Sequence, residues 1–117
     1  MPTIARDPVS PTTRAMLHNA ARASAVGIGK PFRGLVRNGR IYYGRGYAFL
    51  MGSLGDSPYF RSSYIVSMLE MGADVSDRGE LLVLVETRNS AYMAWISERD
   101  YLDYLDKKIE GGIRVED

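Results

Sequence analysis

The sequence predicts an α+β domain: an N-terminal helix, a mainly antiparallel sheet of five to six strands, and a C-terminal amphipathic helix. Three observations carry this expectation. Residues 80–96 hold two apolar, β-prone runs separated by turn formers. Residues 97–111 place apolar side chains at helical spacing between a capping serine and a pair of glycines. Residues 10–27 run from a serine–proline start to a glycine stop.

Residues 1–9 carry two prolines and no apolar period, so they read as a flexible N-terminal arm ahead of a single domain over residues 10–117. Ser10 suits an N-cap, Pro11 the first helical position and Gly27 a left-handed stop, which predicts a helix over 11–26. Leu17, Ala20, Ala21 and Ser24 share one face of it, with Met16 and Ala23 beside them. That face is mostly small and suits close packing. In "GLVRNGRIYYG" the dipeptide Asn38-Gly39 stands between two β-prone runs and predicts a hairpin turn of type I′, with Arg37 and Arg40 opposed across it. Residues 47–52 read as the next strand and "SLGDSP" as a loop. "SSYIVSMLEMG" fits a short helix or a buried strand, and β-branched Ile65 and Val66 with Tyr64 favour the strand.

The hairpin "ELLVLVETRNSAYMAWI" is the clearest β signal. Its first strand is apolar on both faces, as a central strand must be, and Tyr92, Trp95 and Ile96 are core candidates in the second. Ser97 then caps a helix whose apolar stripe is Tyr101, Leu102, Leu105 and Ile109. Acids load its first turns and Lys107 and Lys108 its end, as the helix dipole favours.

A chain of 117 residues supports one hydrophobic core, and its 45% hydrophobic and 25% charged content is ordinary for a globular protein. No apolar run approaches the roughly 18–20 residues that a membrane helix needs, and "MPTIARDPVS" lacks the apolar centre of a secretory signal, so a cytoplasmic protein without membrane contact is expected. The formal charge of +1 conceals a segregation: residues 1–61 contain nine Lys or Arg and two Asp, a balance of +7, whereas residues 62–117 contain six cations and twelve acids, a balance of −6. Such polarity suits an anionic partner for the first half, or opposite charges meeting between copies of the chain.

Most catalytic equipment is absent. Without cysteine there is no disulfide, thiolate nucleophile or thiolate metal site. The one histidine, His18, falls within the predicted first helix with Arg14 and Arg22 four residues to either side, cations that make it a poor proton store. Asp100, Asp103 and Asp106 lie along one helical edge, whereas a hard cation wants oxygens all around it. "GIGKPFRG" and "GRGYAF" match no phosphate-binding glycine motif. Glu70, Glu80 and Glu86 could supply paired carboxylates, but any chain with this many acids offers such pairs by chance. No catalytic, cofactor-binding or metal-binding residue is assigned, and the chain is not expected to be an enzyme.

The stretch "KPFRGLVRNGRIYYGRGY", residues 30–47, holds five cations, three tyrosines and no acid. Arginine and lysine gain affinity by releasing counterions from phosphate, and tyrosines on a sheet stack on unpaired bases. Lys30, Arg33, Arg37, Arg40, Tyr42, Tyr43, Arg45 and Tyr47 are therefore the candidate nucleic-acid or anion-binding residues. Strand alternation sets Tyr42 opposite Tyr43, so the cluster cannot all face one way unless the hairpin twists. The competing reading is exposed arginines over a half-buried tyrosine core.

At "RSSYIV", followed some twenty residues later by "LVLVETRNSAYMAW", the chain resembles small β-rich proteins encoded by phages and plasmids. The resemblance spans Arg61 to Trp95 and implies an accessory or host-interaction role without known catalytic residues. It carries over Thr87, Asn89 and Ser90 as turn formers only, with Asn89 able to accept a positive φ. Taken together, these features lead to a non-enzymatic binding protein, an accessory of a phage or mobile element that docks on a host or partner protein and self-associates. A nucleic-acid binder using the basic aromatic hairpin is the alternative.

Overall fold

The computed structural model describes residues 29–73 and 79–115. The predicted arm over 1–9 and the predicted helix over 11–26 lie outside the described residues, as does His18. Among the described residues the fold is a closed barrel of five strands with one helix, which corrects the expected α+β domain with a five- to six-stranded sheet between two helices. The elements are β1 (Phe32–Gly44), β2 (Tyr47–Leu54), β3 (Ser57–Ala73), β4 (Glu80–Thr87), β5 (Ala91–Ser97) and α1 (Glu98–Ile109).

Each strand pairs antiparallel with its successor, and β5 closes the ring by pairing parallel with β1. Parity dictates that closure: with an odd number of alternating strands, the first and last run the same way. Closure gives each of the five strands two hydrogen-bonded neighbours.

Two long strands make it possible. β1 pairs with β5 through its first half and with β2 through its second, while β3 passes from β2 to β4. Each bends at bulges. On β1, Arg37 pairs with Ser53 and Arg40 with Met51, so one extra residue is accommodated at Asn38-Gly39.

This corrects the expected hairpin. Asn38 does adopt a left-handed backbone, with φ of 52°, but within a continuous strand, and the chain turns instead at Arg45 and Gly46, with φ of 56° and 82°. Turning there lets β1 pair with β2 from Gly44↔Tyr47 back to Val36↔Leu54, a far longer ladder than a turn at Asn38-Gly39 would allow. The dipeptide's tolerance of positive φ is used for a bend, and Arg37 and Arg40 are not opposed. The predicted loop "SLGDSP" shrinks to a turn at Gly55-Asp56, and the ambiguous "SSYIVSMLEMG" lies wholly within β3.

Gly39 shows why the bend needs this sequence. A Cβ there would lie 2.5 Å from the Trp95 carbonyl oxygen and 2.7 Å from Ile96 Cγ2, closer than packed atoms approach. Gly39→Ala is expected to cost about 1–3 kcal/mol, the usual range for forcing extra volume into a packed site. A shift of the denaturation midpoint would register it; an unchanged midpoint would refute the account.

The barrel interior is filled by Val36, Leu50, Ile65, Val83, Val85 and Ile96 with their neighbours. α1 covers one end. Ser97 caps it by accepting from the Asp100 amide at 3.0 Å, Asp100 in turn accepts from the Ile41 amide of β1 at 3.2 Å, and Tyr104 enters the core fully buried. Among the described residues no helix is long and apolar enough to cross a membrane.

Candidate nucleic-acid interface

The bulges decide which side chains share the outer face of β1, β2 and β3. Simple alternation would put Arg37 and Arg40 on opposite sides, but the extra residue at Asn38-Gly39 resets the phase and both emerge outward. A second irregularity on β3 does the same for Arg61, which pairs with Met51, and Tyr64, which pairs with Phe49. Where that irregularity interrupts the ladder, the buried Ser62 hydroxyl stands in: its Oγ accepts from the Leu50 amide at 3.0 Å and donates to the Ser63 carbonyl at 2.6 Å. The backbone is thereby satisfied while Arg61 and Tyr64 are turned to one side.

Two cross-strand rows result. Arg40, Met51 and Arg61 form one; Tyr42, Phe49 and Tyr64 form the next, with Tyr47 beside them. The rings of Tyr47 and Tyr64 lie 4.4 Å apart and those of Tyr42 and Phe49 6.3 Å apart. Guanidinium groups lie over three of these rings: Arg61 over Phe49 at 5.2 Å, Arg88 over Tyr64 at 6.0 Å and Arg114 over Tyr47 at 5.7 Å. Such cation–π contacts hold the cations at the surface without consuming their N–H donors. Among the described residues none of Arg37, Arg40, Arg61, Arg88 and Arg114 forms an ion pair with a carboxylate.

The structure sorts the sequence-predicted residues into three groups. Arg37, Arg40, Tyr42 and Tyr47 belong to this face. Arg45 occupies the β1–β2 turn and lines, with Tyr47, Lys107 and Gly112, a shallow cleft of about 260 Å³ at its end.

Lys30, Arg33 and Tyr43 do not join the face. Lys30 is bound inward, its Nζ 2.6 Å from Glu86 Oε2 and 2.8 Å from the Thr87 carbonyl, and Ser67 Oγ donates to the other Glu86 oxygen at 3.2 Å. It ties the entry of β1 to the end of β4. Arg33 is exposed at the start of β1, where that strand runs beside β5. Tyr43 points into the end of the barrel under α1, with Lys107 Nζ 5.0 Å from its ring centre. Burial, followed by the carboxylates of Asp103 and Asp100, pushes its hydroxyl pKa well above the ordinary tyrosine value.

Sequence reasoning missed Phe49, Arg61, Tyr64, Arg88 and Arg114. Phe49 was accessible as the alternate of core residues Ala48 and Leu50; the others depend on bulges and on long-range folding that carry no local signal. The turn formers also sort unevenly. Thr87 and Ser90 bond to each other, Thr87 Oγ1 donating to the Ser90 carbonyl at 2.9 Å and accepting from its amide at 3.2 Å, whereas Asn89 is not among the left-handed residues and contributes an amide to Ser63 Oγ.

An open groove of about 550 Å³ borders the face at the β1 bulge. Arg40 lines it opposite Glu80 and Asp100, so it presents no single sign of charge. No family model, curated protein or solved structure matches the chain.

Proposed function

We propose that the protein is a non-enzymatic, cytoplasmic binder of single-stranded nucleic acid, and that it binds on the outer face of β1, β2 and β3. The supporting observation is the coincidence of four aromatic rings with arginines that have no carboxylate partner among the described residues. Every base has a face to stack on a ring, and every nucleotide has a phosphate for a guanidinium, so this composition suits an unpaired strand of any sequence. A convex barrel wall offers its rings to bases that are already unstacked, and among the described residues it has no projecting element to enter a duplex groove.

Five arginines (Arg37, Arg40, Arg61, Arg88 and Arg114) serve the face. If all neutralise phosphate, log affinity for single-stranded DNA falls with log salt at a slope of about −3.5, from roughly 0.7 per contact. Replacing Arg40 and Arg61 with Gln is expected to reduce the slope by about 1.4. Fluorescence anisotropy of a labelled oligonucleotide over a salt series measures both, and a flat salt response defeats the proposal.

A second reading, docking on a partner protein or a second copy, has its own observation: Leu69 stands 61% exposed on the outer side of β3, opposite Leu84. The phage or mobile-element accessory role belongs with this reading. Light scattering over a range of concentrations, without nucleic acid, tests its self-association, and a constant monomer mass excludes it.

A further inference from the structure

The cleft at the end of the aromatic face is built from two distant parts of the chain. The β1–β2 turn supplies Arg45 and Tyr47, and the C-terminal end of α1 supplies Lys107, with Gly112 just beyond it. The Arg114 amide holds the two parts together by donating to the Gly46 carbonyl at 2.6 Å, which pins the segment after α1 against the turn. Arg114 then passes beside Gly46, itself a lining residue, and lays its guanidinium 5.7 Å from the centre of the Tyr47 ring. A third cation thus stands next to Arg45 and Lys107.

Charge in the cleft is one-sided. Among the described residues no carboxylate lines it, and none of Arg45, Lys107 and Arg114 forms an ion pair. Lys107 is half-buried, although lysines mostly stand in water unless paired. Asp103, one helical turn earlier, has the usual spacing for a partner, yet its carboxylate acts on the Tyr43 hydroxyl while Lys107 Nζ lies 5.0 Å from the centre of that ring. The end of α1 would repel an anion through free carbonyls, but those of Asp106, Lys107 and Lys108 already accept from the amides of Glu110, Gly112 and Gly111.

We propose that this cleft receives the terminal phosphate of a single nucleic-acid strand lying on the outer face of β1, β2 and β3, an inference that rests on the nucleic-acid reading above. Continuity is the first reason. Tyr47 lines the cleft and also stacks with Tyr64, 4.4 Å away, so a strand following the rings arrives at Arg45 and Lys107. Charge is the second. A phosphate monoester carries about −1.5 to −2 at pH 7, whereas each phosphate within a strand carries a single negative charge, so cations gathered without a carboxylate favour the end over the middle. Space is the third: about 260 Å³ falls short of the roughly 300–1,000 Å³ of sites that enclose a drug-sized ligand, which suits a phosphate and leaves the bases to the rings.

Three internally labelled DNA strands of one sequence, carrying a 5′-phosphate, a 3′-phosphate or hydroxyls at both ends, test this by fluorescence anisotropy. The full chain should bind at least one phosphorylated strand about tenfold more tightly than the hydroxyl-ended one, the scale of one charge-assisted hydrogen bond, and the preferred end gives the direction of the strand. In Arg45→Gln combined with Lys107→Gln that preference should vanish while affinity for the hydroxyl-ended strand changes little. Should the double variant fail to fold, Lys107→Gln alone gives the same comparison. Equal affinity for all three strands overturns the inference and leaves the aromatic face standing, as does a preference that survives the substitutions or an equal loss for all three strands in a variant with an unchanged melting temperature. Failure of the unaltered protein to bind any of the three overturns the face, and this inference with it.

Discussion

Tyr104→Ala is expected to destabilise the protein by about 3–5 kcal/mol, the range for emptying a buried aromatic site. A domain of this size has about 5–15 kcal/mol in total, so partial unfolding at room temperature is within reach. Tyr104 is fully buried although it comes from α1, and it fills the end of the barrel against residues contributed by several strands. Its removal leaves a cavity that a closed ring of hydrogen-bonded strands cannot collapse into. Urea denaturation followed by circular dichroism measures the loss, and a change below about 1 kcal/mol would mean that α1 does not plug the barrel.

The conservative variant should behave differently. The Tyr104 hydroxyl is buried without a hydrogen-bond partner, so Tyr104→Phe removes an unsatisfied polar group and should be neutral or stabilising. It should also alter the alkaline limb of stability. Burial pushes the Tyr104 pKa up to about 12 from an ordinary value near 10, which means the folded state holds its proton more tightly than the unfolded chain does. A raised folded pKa contributes stability that is complete below the unfolded value and lost as pH rises through the folded one. Stability should fall between about pH 10 and pH 12, less steeply in Tyr104→Phe, with Tyr43 continuing the loss at still higher pH. Melting curves across that range separate the two proteins.

Phe49→Ala combined with Tyr64→Ala should weaken single-stranded DNA binding by about 1–3 kcal/mol for each lost stacking partner, which is several-fold to more than a hundredfold per ring. Both residues lie on the outer face beside inward-facing neighbours, Ala48 and Leu50 in one strand and Ile65 in the other, so the core survives the change. The salt slope should be nearly unaltered, because every arginine remains. Anisotropy titrations thus separate stacking from charge: lower affinity with an unchanged slope supports a stacking platform, and unchanged affinity refutes it. Arg33→Ala, off the face, serves as the control.

Much of this architecture is written locally. The hairpin of β4 and β5 was visible because apolar β-prone residues flank Thr87 to Ser90, and α1 because Ser97, its apolar spacing and Gly111-Gly112 mark both ends. Barrel closure was not visible, because pairing of Phe32 with Ala91 and Val36 with Ala94 joins segments nearly sixty residues apart and has no short-range signature. Misreading Asn38-Gly39 has a related cause: hairpin turns and bulges use the same left-handed backbone, and only the length of ladder gained elsewhere selects between them.

The candidate site divides along the same line. Composition alone concentrated the cations in the first half of the chain and interleaved them with tyrosines, since charge and aromatic content are properties of the residues themselves. Direction was a tertiary decision. Bulges on β1 and β3 rotate Arg40, Arg61 and Tyr64 onto one wall, an ion pair with Glu86 withdraws Lys30, and the covering helix α1 claims Tyr43 for the core. A strand's side chains alternate by default, so one inserted residue reverses everything beyond it, and whether that residue is inserted depends on strands that are distant in sequence.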